Sequence, residues 1–229
     1  MREVTWTARN SEGFPAPVAL AADAVVLTVR DGTLLVLCLR RADGATVLPG
    51  GFVGAAESPL DTVRRKLLEK TGVHQGYFEQ LGTFAEPGRD PRGWIPTVAH
   101  LALVPARTEP TDPAAAWVAA RPAPPLALDH GAILSAAFER LEGKLWWSNV
   151  AVGILPEAFT LSQARSVYAA IAGVEYDPAT FARDLKATGL IAPTGEQRAD
   201  GRGRPAALFR FVSADPAWGA GRRKRVASS

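Results

Sequence analysis

Two short apolar runs, Val25–Val29 and Leu34–Leu39, are rich in β-branched residues and flank Asp31-Gly32, a pair suited to the positive φ angles of a tight hairpin turn. They predict two core strands. Beyond the Pro49-Gly50-Gly51 loop the period changes. Leu60, Val63 and Leu67 recur at helical spacing, with Ser58 as N-cap, Pro59 as first helical residue and Gly72 as the stop. Ile95–Val104 reads as a further strand, and the Pro- and Ala-rich stretch Pro105–Leu128 as a long irregular connection containing some helix. Ala132–Leu141 has the pattern of a short amphipathic helix.

The texture changes near Gly143. Thr160 and Gln163 form a T-x-x-Q capping box at the head of a helix running to about Ile171, and Asp177 with Pro178 opens another that ends at Gly189. Leu190–Pro193 and Ala207–Val212 are strand-like. Between them Gly195–Pro205 is rich in Gly and Arg, which predicts a hairpin with a mobile basic tip. Helix, helix, β-hairpin is the order of a winged helix. Three segments follow: a first domain over 1–143, a winged helix over 144–213, and a basic disordered tail over 214–229 with Arg222–Arg225 as its charged cluster.

The chain has 229 residues, enough for two domains that each bury a core. Its longest apolar candidate, Val18–Val29, is interrupted by Asp23 and falls short of a membrane helix, and the N-terminus carries Arg2, Glu3, Arg9 and Glu12 with no apolar signal region. No membrane partner and a cytoplasmic location are expected. Cys38 sits inside an apolar strand run and reads as a buried, inert thiol. The net charge of +3 is uneven: residues 149–229 hold 11 Lys and Arg against 7 Asp and Glu, leaving 15 against 16 before them. That placement suits a polyanionic partner for the C-terminal half.

The segment from Gly51 to Val73 resembles the Nudix box, G-x5-E-x7-R-E-U-x-E-E-x-G-U with U aliphatic, matching it at Gly51, Glu57, Arg65, Leu67, Glu69, Gly72 and Val73. The box places carboxylates one helical turn apart to hold Mg²⁺ against a pyrophosphate. Here its two other glutamates are Lys66 and Lys70. Neighbours four apart on a helix, these ammonium groups repel a divalent ion and attract a phosphate. The expectation is nucleotide binding without turnover, no metal and no cofactor; the plainer alternative is a solvated lysine pair on a relic domain. Glu86–Trp94 resembles the loop of the Nudix branch that handles ADP-ribose. On that resemblance Arg89 and Arg92 are candidates to pair with phosphate or ribose-linked groups, while Trp94 either stacks on a base or packs on the sheet. Arg40 and Arg41 are further phosphate candidates, so the ligand set comprises Arg40, Arg41, Glu57, Arg65, Lys66, Glu69, Lys70, Arg89, Arg92 and Trp94.

In the helix after Asp177, Phe181 and Leu185 define an inward stripe and leave Thr180, Arg183, Lys186 and Ala187 outward, a face suited to a major groove. Arg198, Arg202 and Arg204 are placed on the wing as phosphate contacts. Winged helices also serve as protein-interaction modules, which is the competing reading. His74, His100 and His130 are scattered without metal spacing. Taken from about Val18 to Val212, with Leu155–Leu161, Leu190–Gly195, Gly201–Pro205 and Leu208–Phe211, the chain resembles the Nudix-related transcriptional regulators of NAD metabolism. The resemblance implies an α/β fold, a Nudix mixed-sheet α/β/α sandwich followed by a winged helix-turn-helix domain. It also implies a homodimeric repressor of NAD biosynthesis or salvage genes on a palindromic double-stranded operator, released by ADP-ribose or a related NAD-derived nucleotide. The rival expectation is a Mg²⁺-dependent ADP-ribose pyrophosphatase using Glu57, Glu69 and a carboxylate outside the box such as Glu86.

Overall fold

The computed structural model describes residues 9, 11–13, 17, 19–199 and 205–215. The two apolar runs form strands β1 (Ala21–Arg30) and β2 (Thr33–Arg40), joined at Asp31 and Gly32 with φ 47° and 74°. Nine of the ten β1 residues are buried, as befits a strand covered on both faces. Short strands β3 (Thr46–Val47) and β4 (Gly50–Phe52) follow, so part of the predicted Pro-Gly-Gly loop is strand. Next come helix α1 (Pro59–Thr71) and strands β5 (Tyr77–Phe84), β6 (Thr97–Leu103) and β7 (Ala115–Ala119). The sheet runs β3-β2-β1-β6-β5, with β4 added to β1 and β7 to β2.

Helix α1 begins and ends as its caps dictate. The Ser58 hydroxyl accepts from the Asp61 N–H at 3.1 Å, and Gly72, at φ 74°, donates its N–H to the Leu68 carbonyl. A Cβ at Gly72 would also lie 2.1 Å from Thr111 Oγ1, so glycine is required by both conformation and space. Thr62, Val63, Leu67 and Thr71 are buried. Between residues 105 and 128 the expected helix is replaced by β7, which pairs antiparallel with β2 from Leu35↔Ala119 to Leu39↔Ala115. Here strand pairing outweighs the weak β-propensity of alanine.

Helix α2 (His130–Lys144) starts two residues earlier and ends later than its apolar pattern. After a 3₁₀ turn at Val150–Gly153 come β8 (Phe159–Thr160), α3 (Leu161–Ala172), α4 (Pro178–Ala187), β9 (Ile191–Arg198) and β10 (Ala206–Phe211). The strands form a three-stranded sheet ordered β8-β10-β9. Thr160 and Gln163 make the reciprocal capping box at α3, with bonds of 3.2 and 3.0 Å, and Asp177 caps α4 by accepting from Thr180 N–H at 2.8 Å. Trp146, Tyr168, Tyr176 and Phe181 form a ring cluster with five ring pairs at 5.2–5.7 Å, four of them edge-to-face, around the buried Tyr168 and Phe181. The chain divides into two compact units, residues 1–27, 35–102 and 108–137, and residues 28–34, 103–107 and 138–229. No helix among the described residues is long and apolar enough to cross a membrane.

Candidate functional site

The first unit contains a cavity of about 700 Å³, a volume suited to a nucleotide-sized ligand. Its wall includes Arg40, Arg41, Arg65, Lys66, Glu69, Lys70, Arg89 and Arg92 from the anticipated ligand set, together with Asp23, Gly50, Phe52, Asp90, Asp112 and His130. Glu57 and Trp94 are not part of the wall.

Glu57 is drawn into the loop before α1. Its carboxylate accepts from Arg65 Nε at 2.7 Å and Nη2 at 2.6 Å, from the Thr62 hydroxyl at 2.7 Å and from the Gly54 N–H at 3.0 Å. The Arg65 fork is the main reason its pKa is lowered to about 2, helped by Thr62. A folded-state pKa below the ordinary carboxylate range means the contact stabilises the loop above that range and is lost as the pH falls toward 2. A carbon-detected NMR titration of the Glu57 carboxyl is therefore expected to show a midpoint near 2; a midpoint near 4, the ordinary carboxylate value, would show the fork to be absent in solution.

On the next turn Lys66 Nζ donates to Glu69 at 2.8 Å, and Glu69 also accepts from Arg65 at 3.2 Å. Lys70 Nζ donates instead to the backbone carbonyl of Gly50 at 2.6 Å. Partial burial lowers the Lys70 pKa, and the neighbouring Lys66 lowers it further. Gly50 is needed in this position because a Cβ there would stand 2.0 Å from Asp23 Oδ1. Among the described residues, Arg40 and Lys70 are the two wall cations without a carboxylate partner.

Arg89 departs from expectation. Its side chain is 2% exposed; Nε and Nη2 fork onto Asp129 at 2.7 and 2.6 Å, and Nη1 donates to the Ile95 carbonyl at 2.8 Å. It is a buried tie between the loop and the start of α2, and its donors are spent within the protein. Arg92 is exposed; it forks onto Asp90 at 2.9 and 2.5 Å and lies 4.9 Å from the centre of the Phe52 ring. Trp94 donates its indole N–H to the Ala85 carbonyl at 3.1 Å and is not part of the cavity wall. Arg41 pairs with Asp43 at 2.8 Å, both well exposed, a weak contact.

In the second unit α4 buries Phe181 and Leu185 and exposes Thr180, Arg183, Lys186 and Ala187, as its period requires. Arg183 makes an exposed pair with Asp184 at 2.9 Å, and Lys186 Nζ lies 5.3 Å from the Phe209 ring centre. Strand β9 runs past Pro193 to Arg198, so Arg198 is not on a hairpin tip. It is half-buried, opposite Ala206, and donates to Gln163 Oε1 at 2.9 Å. The added strand length is accommodated by Gly195 at φ 85° and a register shift between Ala207 and Phe209. Arg202, Arg204 and the residues from 216 onward lie outside the described residues.

The NrtR DNA-binding winged helix domain matches residues 151–211 and the NUDIX domain matches residues 18–136. An "ADPR responsive transcriptional repressor NtrR" of Acinetobacter baylyi is 31% identical over 214 residues, 88% of this chain and 85% of the relative. The chain belongs to the NrtR family. Among solved NrtR structures, that of Shewanella oneidensis NrtR complexed with a 27mer DNA aligns at TM-score 0.74 and 34% identity, covering 89% of this chain and 98% of that one. The NUDIX domain of the same protein complexed with ADP ribose aligns at TM-score 0.50 and 37% identity, over 58% of this chain and 93% of that domain. The sequence reading did not assign the wall residues Asp23, Gly50, Phe52 and His130; Asp23 and His130 are remote in sequence from the Nudix-box helix, whereas Gly50 and Phe52 sit at the head of the box. Asp23 was visible only as a lone charge breaking an apolar run, and that was the signal.

Proposed function

We propose that this NrtR-family protein is a transcriptional repressor whose winged helix binds operator DNA and whose Nudix domain holds ADP-ribose, or a related NAD-derived nucleotide, without hydrolysing it. The observation that carries this reading is the pair of ammonium groups at positions 66 and 70, one held by Glu69 and the other by the Gly50 carbonyl on the cavity wall. The residues present do not fit the metal of a Nudix hydrolase. Glu57 is committed to Arg65, Glu69 to Arg65 and Lys66, and among the described residues no group of three or more His, Cys, Asp or Glu side chains is arranged to hold an ion.

Phosphate recognition falls to Lys70 and Arg40, the wall cations not already matched by a carboxylate. The exposed Phe52 ring, backed by Arg92, offers a planar surface to a base. Thr180, Arg183 and Lys186 on α4 face DNA, with phosphate contact favoured for Arg183 because its ion pair is exposed and cheaply exchanged. Arg198 supports the wing from within by its bond to Gln163. A homodimer on a palindromic operator completes the reading, since one winged helix reads too few base pairs for useful specificity.

Calorimetric titration of the full chain with ADP-ribose, first with Mg²⁺ and then with EDTA, tests the sensor. Saturable binding of equal affinity in both buffers, with no AMP or ribose phosphate formed and with release of bound operator DNA, is the expected result. Metal-dependent turnover would make the protein a pyrophosphatase and overturn the reading.

A further inference from the structure

The cavity has a second chemical character on the wall formed by β1 and the start of α2. Asp23 and His130, the first residue of α2, both line it, with side chains 10% and 4% exposed. The Leu48 N–H donates to His130 Nδ1 at 2.9 Å, so Nδ1 is the acceptor and the neutral ring carries its hydrogen on Nε2. Burial favours that neutral ring by lowering the His130 pKa. His130 Nε2 stands 3.8 Å from Asp23 Oδ2, and Arg89 Nη2 stands 3.9 Å from the same oxygen. Both distances exceed those of N–H···O hydrogen bonds, and Arg89 is already forked onto Asp129.

A carboxylate acceptor and an N–H donor thus lie side by side on the wall, slightly too far apart to satisfy each other. Two atoms at that separation leave room for an oxygen about 2.8 Å from each, the ordinary hydrogen-bond distance. The group that fits must donate to the carboxylate and accept from the imidazole. A hydroxyl does both, whereas an ionised phosphate oxygen accepts only and would face the carboxylate charge. Burial raises the Asp23 pKa, and His130, the Thr97 hydroxyl and Arg89 offset only part of that cost; a further hydroxyl donating to the carboxylate therefore gains affinity from the burial of Asp23. Gly50 preserves the arrangement, because any larger residue would push on Asp23 Oδ1.

We infer that Asp23 and His130 together bind a sugar hydroxyl of the nucleotide, which makes the cavity selective for a glycosylated diphosphate over a diphosphate alone. This rests on the cavity being the nucleotide site proposed above. The test is calorimetry on the full chain with ADP-ribose, ADP and inorganic pyrophosphate, comparing the native protein with Asp23→Asn. Asp23→Asn is expected to weaken ADP-ribose on the order of tenfold, the loss of one charge-assisted hydrogen bond, without weakening pyrophosphate, since removing a negative charge near Lys70 does not cost a phosphate affinity. If ADP weakens equally, the hydroxyl is that of the adenosine ribose; if ADP is unaffected, it is that of the terminal ribose, and both outcomes support the inference. Unchanged ADP-ribose affinity, or an equal loss for pyrophosphate, overturns it. Failure of the native protein to bind any of the three overturns the sensor reading as well, so the two failures are distinct. His130→Asn, which keeps an acceptor near Leu48 and removes the Nε2–H donor, is expected to show the same selective loss and carries the test if Asp23→Asn does not fold.

Discussion

Arg89→Ala is expected to destabilise the protein by about 3–5 kcal/mol, the range for removing one partner of a buried ion pair. The guanidinium is 2% exposed and its loss strands two carboxylates, Asp129 at 2.6 Å and Asp23 at 3.9 Å, together with the Ile95 carbonyl. Urea unfolding followed by tryptophan fluorescence checks this, and Arg89→Lys is expected to recover only a minor part because one ammonium cannot fork onto a carboxylate and reach a carbonyl. A midpoint for Arg89→Ala equal to that of the native protein would mean that the buried fork carries no net stability.

The second large effect concerns the replaced glutamates. The double substitution Lys66→Glu, Lys70→Glu turns the wall beside Glu69 from cationic to acidic over one turn of α1. ADP-ribose affinity in EDTA is expected to fall on the order of a hundredfold, as the charge-assisted contact from Lys70 is lost and two positive charges on the cavity wall become negative. Mg²⁺-dependent release of AMP is expected to appear or rise, since three carboxylates then share one helix face. Calorimetry and product analysis read both quantities. Undiminished binding in EDTA would remove Lys70 from the phosphate site. Weakened binding with no hydrolysis would show that the protein lacks more of the hydrolytic machinery than the two glutamates.

What the sequence made legible is what local chemistry decides. Ser58, Thr160 with Gln163, and Asp177 with Pro178 set the helix starts, because a cap needs only residues within three positions of itself. Strand β5 was missed because it is the end strand of the sheet, with Leu81 its one buried residue and Gly82 interrupting the pattern. Strand β7 was hidden by its alanines, and only β2, some 80 residues earlier, reveals it. The site divides in the same way. The Nudix-box spacing placed Lys66 and Lys70, whereas the roles of Arg89 and His130 depend on Asp129, 40 residues from the first, and Leu48, 82 residues from the second. A basic residue in a loop reads as a phosphate ligand until a distant carboxylate is found to hold it.

The bond from Lys70 Nζ to the Gly50 carbonyl has a consequence for signalling. A cation supplied by the chain itself is always in place, at fixed stoichiometry, and cannot be stripped by chelators or exchanged for another ion. A sensor built in this way has no loading step. On the function proposed above its occupancy would follow a two-body equilibrium between protein and nucleotide, and the response threshold is expected to stay where it was when magnesium is depleted or accumulates.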